Sequence, residues 1–139
     1  MSGMTDHLNS DSDQFISNSL NLALELLNDI FNQINTLEIK SDEHRHFSNQ
    51  HLTKLSLDIT QFVELTTLTS RMITLKKNIT LNVVKDSHIH LLFVLKGINQ
   101  AQLKNDELIL EDLIKYELKD NLTQWKINII PTIKRMLNP

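Results

Sequence analysis

Cysteine is absent from this chain, and its absence removes thiol nucleophiles, thiolate zinc sites, iron–sulfur clusters and disulfide scaffolds together. Glycine and proline occur twice each. A sheet protein needs turn residues roughly every 8–12 positions, and this chain does not supply them. Gly3 and Gly97 stand alone, so no glycine-rich loop can cradle a phosphate. No serine sits in a G-x-S-x-G elbow. The longest apolar run, Leu91 to Leu95, is far short of the roughly 20 residues that a membrane-spanning helix requires. No Lys or Arg precedes Lys40, whereas Asp6, Asp11, Asp13, Glu25, Asp29 and Glu38 all do. The formal net charge is −3, which gives no field favouring nucleic acid, and Arg71, Lys76, Lys77 and Lys85 lie scattered among Thr, Asn and Leu. The first residues carry neither the basic nor the apolar region of a signal peptide, so the expected location is cytoplasmic, with no membrane partner.

What the chain does contain is helical periodicity. Ile16, Leu20, Ala23, Leu27, Ile30, Ile34 and Leu37 recur at steps of four and three without a slip, the pattern of a helix packed along its length against others. The spacing predicts a first helix over about 13–38, capped from Asp11, Ser12 or Asp13, after a disordered polar tail at 1–12. Residues 13–139 then form a single domain. A second helix is expected from Ser41 or Asp42 to about 78, with the seam Leu52, Leu55, Ile59, Phe62, then Leu65, Leu68, Met72, Leu75 and Ile79. The two successive steps of three at Ile59–Phe62–Leu65 read as a stammer. With Thr60, Thr66, Thr67 and Thr69 beside it, a bend near 60–70 is expected. A third helix over about 87–104 should bury Leu91, Leu92, Leu95 and Ile98, with Gly97 allowing a close neighbour. A fourth, capped by Asn105 or Asp106, carries Leu110, Leu113, Ile114, Leu118, Leu122, Trp125 and Ile129, with Tyr116 and Trp125 as core anchors. Pro131 should end it, because proline cannot donate the helical hydrogen bond and disfavours helix at the residue before it. Short connections make consecutive helices antiparallel. The expected fold is all-α, an up-down antiparallel bundle of four main helices.

The first helix has more apolar surface than one neighbour can cover. At about 100° per residue, Phe15, Leu22 and Leu26 lie on one flank of its seam and Leu24 and Phe31 on the other. Apolar surface beyond what the core needs marks a contact with a partner. Leu22, Leu24, Leu26 and Phe31 are therefore the candidate partner-binding residues, for a protein partner or for a second copy. The histidines supply a competing reading. Glu43 and His46 form a single E-x-x-H step, and with His51 they would be the ligands of a metal-binding bundle. Di-iron bundles need such a step from each of two helices, and His88 and His90 have no glutamate three residues before them. Glu111 and Lys115 form a surface i,i+4 pair rather than catalytic machinery. No cofactor and no catalytic residue is expected.

Residues 103–125 read Asn105-Asp106, Leu110-Glu111-Asp112-Leu113-Ile114, Tyr116-Glu117-Leu118, Leu122 and Trp125. This stretch resembles an acidic-leucine helix ending near a Trp in small uncharacterised helical proteins of Gram-positive bacteria. It is also similar to the last helices of flagellar export chaperones of the FliS type. Those are small helical bundles that bind unfolded flagellin, and the likeness implies a bundle acting as an export chaperone or adaptor. It carries no functional residue with it.

Overall fold

The computed structural model describes residues 2–44 and 47–138, with side chains at 11–37 and 47–138. Its helices are α1 (Ser2–His44), α2 (Asn49–Lys77), α3 (Asn82–Leu103) and a fourth rod, α4, over 107–137. No strand occurs among the described residues. Cross-helix pairs fix the directions. Gln33 Nε2 donates to Asp58 Oδ2 at 2.6 Å, and Lys76 pairs with Asp13. Ser56 meets Asn99 and Thr66 meets His88; Ser87 meets Asn121 and His90 meets Glu117; Asn21 meets Lys134 and Phe31 meets Lys126. In each helix pair one number rises as the other falls, so α1 to α4 run up, down, up and down, each packed beside the next and α4 beside α1.

The α1 seam is buried throughout, at 0–2 % exposure from Ile16 to Leu37. The helix is longer than its periodicity predicts. It takes in Asp11, Ser12 and Asp13 as helical residues and includes most of the segment read from composition as a disordered start. α2 begins at Asn49, later than expected, and Phe47 and Ser48 before it are not helical. Phe47 is buried, and its backbone N–H donates to Glu107 Oε2 at 3.1 Å, tying the chain just before α2 to the start of α4.

The buried side of α2 is Leu52, Leu55, Ile59, Phe62, Thr66, Thr69 and Ile73, with Val63 beside it. That frame keeps alternating steps of three and four, so there is no stammer, and the helix is unbroken through 60–70. Two threonines occupy core positions in place of Leu65 and Leu68. They can do so because their hydroxyls donate to carbonyls of their own helix, Thr66 to Phe62 O and Thr69 to Leu65 O, both at 2.8 Å. A threonine satisfied in this way buries its methyl at little cost. Leu65 and Met72 are left packed at the edge of the core, and Leu68 and Leu75 are exposed.

α3 starts earlier than predicted, at Asn82, and buries Val84, Leu91, Val94, Leu95, Ile98 and Ala101, whereas Leu92 is half exposed. Gly97 does allow close approach: a Cβ there would lie 3.0 Å from Leu113 Cδ1. Left-handed Asn78 and Asn105, at φ 54° and 51°, turn the chain after α2 and α3.

α4 is one continuous rod with two π-helical turns. Glu107–Asp112, Lys119–Gln124 and Ile130–Leu137 are α-helical, and Leu113–Leu118 and Trp125–Ile129 are π-helical. The reason lies in its buried positions Leu110, Ile114, Leu118 and Leu122, three successive steps of four. On an ideal α-helix a step of four overshoots a full turn by about 40°, so the stripe would swing about 120° off the core over that stretch. A π turn admits one more residue and brings the stripe back. Pro131 does not end the rod; Ile130 is helical at φ −61° and ψ −47°, and the helix runs on to Leu137. Pro131 stands in the first turn after the π-helical Trp125–Ile129, where the regular α-helical bonding that proline disrupts is already interrupted. Trp125 is fully buried as expected, but Tyr116 is 64 % exposed on the outer side of the first π turn.

Candidate functional site: a groove between the first two helices

Once Thr66 and Thr69 fill the core, the leucines they displace meet the flank of α1. Leu22 and Leu26 of α1 and Leu65 and Leu68 of α2 floor a groove of about 620 Å³. Its other lining side chains are Glu25, Asp29, Gln61 and Glu64, so the rim carries acids of one sign. Leu22 is 54 % and Leu68 48 % exposed, so this apolar floor faces solvent. Asp29 has Lys54 4.0 Å away and accepts from Gln33. Glu25 and Glu64 have no ion-pair partner among the described residues.

The four candidate residues of α1 separate into two groups. Leu22 and Leu26 line the groove, although Leu26 also packs on the core. Leu24 and Phe31 are partly buried against the core on the other flank. The Lys126 ammonium of α4 lies 5.5 Å from the Phe31 ring centroid, a cation–π contact that covers this flank from α4. The structure thus does not bring all four together. Leu65, Leu68, Glu25 and Glu64 join Leu22 and Leu26 instead, and sequence reasoning placed Leu65 and Leu68 in the core. The signal that finds them is the unbroken three-four frame through Thr66 and Thr69.

Of the proposed metal ligands, Glu43 and His46 lie outside the residues whose side chains are described. His51 lines a separate recess with Asn32, Gln33, Thr36, Leu37 and Lys54. Among the described residues no three metal-ligating side chains come together.

His88 and His90 belong to a polar seam between α3, α2 and α4. His88 occupies a core-facing position of α3, its ring stacked on Trp125 at 5.4 Å and 21°, while Phe62 meets the same indole edge-on at 5.0 Å. The Thr66 hydroxyl already donates to Phe62 O, so it accepts from His88 Nε2–H at 2.7 Å, and Thr67 donates to Nδ1 at 3.4 Å. Neutral His88 is therefore satisfied at both nitrogens. Burial pushes its pKa below the usual histidine value. The unfolded chain binds a proton at a pH where the folded one does not, so this group's stability is complete above about pH 6.5 and lost as pH falls below it. The melting temperature is expected to fall between pH 7 and 5, and less steeply in His88→Gln; equal slopes would overturn the assignment. Nearby, Asn121 Nδ2 donates to His90 Nδ1 at 3.0 Å, which puts the ring proton on Nε2, facing Glu117 Oε2 at 3.1 Å. This last pair is exposed and has the character of a surface contact. Glu111 and Lys115 form the expected i,i+4 pair at 2.9 Å.

No family model matches the chain, and no curated protein or solved structure matches it either.

Proposed function

We propose that this protein is a non-catalytic interaction module that takes an amphipathic partner helix onto the groove between α1 and α2. The observation that carries the reading is the exposed leucine floor beneath an acidic rim. A helix with leucines at i, i+3 or i+4 and i+7 can lay its apolar side into such a groove, with lysines or arginines meeting the rim. A module of this kind serves as an adaptor, or as an export chaperone that holds a segment of its client.

The reading is tested with a labelled leucine–lysine model helix, titrated into the full chain by fluorescence anisotropy. Binding is expected, weakening as salt rises, and a leucine–glutamate helix of the same length should not bind. Leu22→Lys combined with Leu68→Lys should weaken binding at least about tenfold. It should change stability by only about 0.5 kcal/mol per site, because both side chains are substantially exposed. No binding of the leucine–lysine helix, or unchanged binding in the variant, would overturn the proposal.

A further inference from the structure

The groove has a counterpart on the same molecule. On the outer side of α3, Ile89 and Phe93 are 61 % and 73 % exposed, with half-exposed Leu92 between them. Positions 89, 92 and 93 share one helical face, and 85 and 96 fall on the same face, one turn before and one turn after. Those positions are Lys85 and Lys96, both exposed, and neither has an ion-pair partner among the described residues. Asp86, three residues before Ile89, lies at the α4 edge of this face; the face itself is amphipathic and carries a lysine at each end, as the groove reading calls for. From 85 to 96 it is about 16 Å long, against about 10 Å for the 22–29 segment of α1 that lines the groove. The lysines can therefore fall towards the ends of the apolar contact.

Resting on the groove reading, we infer that the occupant is a second copy of this chain, whose α3 face of Ile89, Leu92 and Phe93 seats in the α1–α2 groove with Lys85 and Lys96 against Glu25 and Glu64. A symmetric pairing of two grooves, the simplest dimer through the first helix, is opposed by charge: it sets Glu25, Asp29 and Glu64 against the same three acids. The contact is therefore head-to-tail. The dimer keeps a free groove on one copy and a free α3 face on the other, so association continues past the dimer unless a ring closes. Rim charges of this kind set on-rate and salt sensitivity, and they are screened beyond about 10 Å at 0.1 M salt.

Sedimentation velocity on the full chain across a concentration series tests this at low and at high salt. The average sedimentation coefficient should climb with concentration beyond the dimer value, and less so in 0.5 M salt. Glu25→Lys with Glu64→Lys, and separately Lys85→Glu with Lys96→Glu, should each weaken association about tenfold or more. The quadruple variant should bring it back to within about threefold of wild type. All four positions are exposed, and thermal melts followed by circular dichroism confirm that the variants fold. A wild-type chain that stays monomeric to millimolar concentration overturns the inference; if the leucine–lysine helix still binds, the groove reading survives it. Association that neither charge reversal weakens also overturns it, because another surface is then responsible. Failure of both the model helix and self-association removes the two readings together.

Discussion

Replacing Trp125 with alanine is expected to cost about 3–5 kcal/mol and to lower the melting temperature by about 10–20 °C. The indole is fully buried where three helices meet: Phe62 of α2 lies edge-on to it and His88 of α3 is stacked on it. Removing it opens a cavity between residues anchored on separate helices, which cannot all move inward. The loss is a large share of the roughly 5–15 kcal/mol that holds a domain together. Trp125→Phe should cost clearly less. It keeps an aromatic surface for Phe62 and His88, and it removes an indole N–H that is buried without an acceptor among the described residues. The measurement is urea unfolding of both variants. A cost below about 1 kcal/mol for the alanine variant would show that the site collapses freely and that the aromatic cluster does not organise the core.

Deleting one residue is expected to have opposite outcomes in a π turn and in an α-helix. Tyr116 is exposed within the π turn Leu113–Leu118. Its removal closes that turn to a regular one and leaves the buried stripe of α4 with steps of four, three and four. The expected loss is about 1–2 kcal/mol, with cooperative unfolding kept. Gln61 is exposed in the middle of α2, which has no π turn. Its deletion rotates one half of the helix by about 100° against the other. Either Leu52, Leu55 and Ile59 or Phe62, Thr66 and Ile73 then leave the core, at about 2–5 kcal/mol for each large side chain exposed. No cooperative transition is expected. Circular dichroism melts of the two deletions compare them directly. If the Tyr116 deletion is the more damaging, the steps of four in α4 do not have the origin given above.

The deletion prediction rests on the relation between spacing and structure, and that relation is only partly visible in the sequence. The α1 seam could be read outright because every member is apolar and the three-four rhythm never slips. The four-helix, all-α architecture followed from it and from the scarcity of turn residues. The second half of α2 is not legible in this way, because hydrophobicity alone favours Leu65 and Leu68 over Thr66 and Thr69. Burial of the threonines depends on hydroxyls that bond to their own helix. The fours in α4 were present in the sequence, but an α-helical frame gave them no meaning, and Pro131 looked like an end rather than the sequel to a wide turn.

The candidate site shows the same division. Periodicity alone determined that α1 has an apolar seam with apolar flanks, because the angular position of each side chain follows from the helix itself. Which flank is covered depends on where the neighbouring helices lie, and no single helix contains that information. The tertiary structure set α4 and its Lys126 against Phe31, and brought Leu65 and Leu68 of α2 beside Leu22 and Leu26. It also joined Glu25 and Asp29 to Glu64 from a helix about forty residues away, forming one acidic rim.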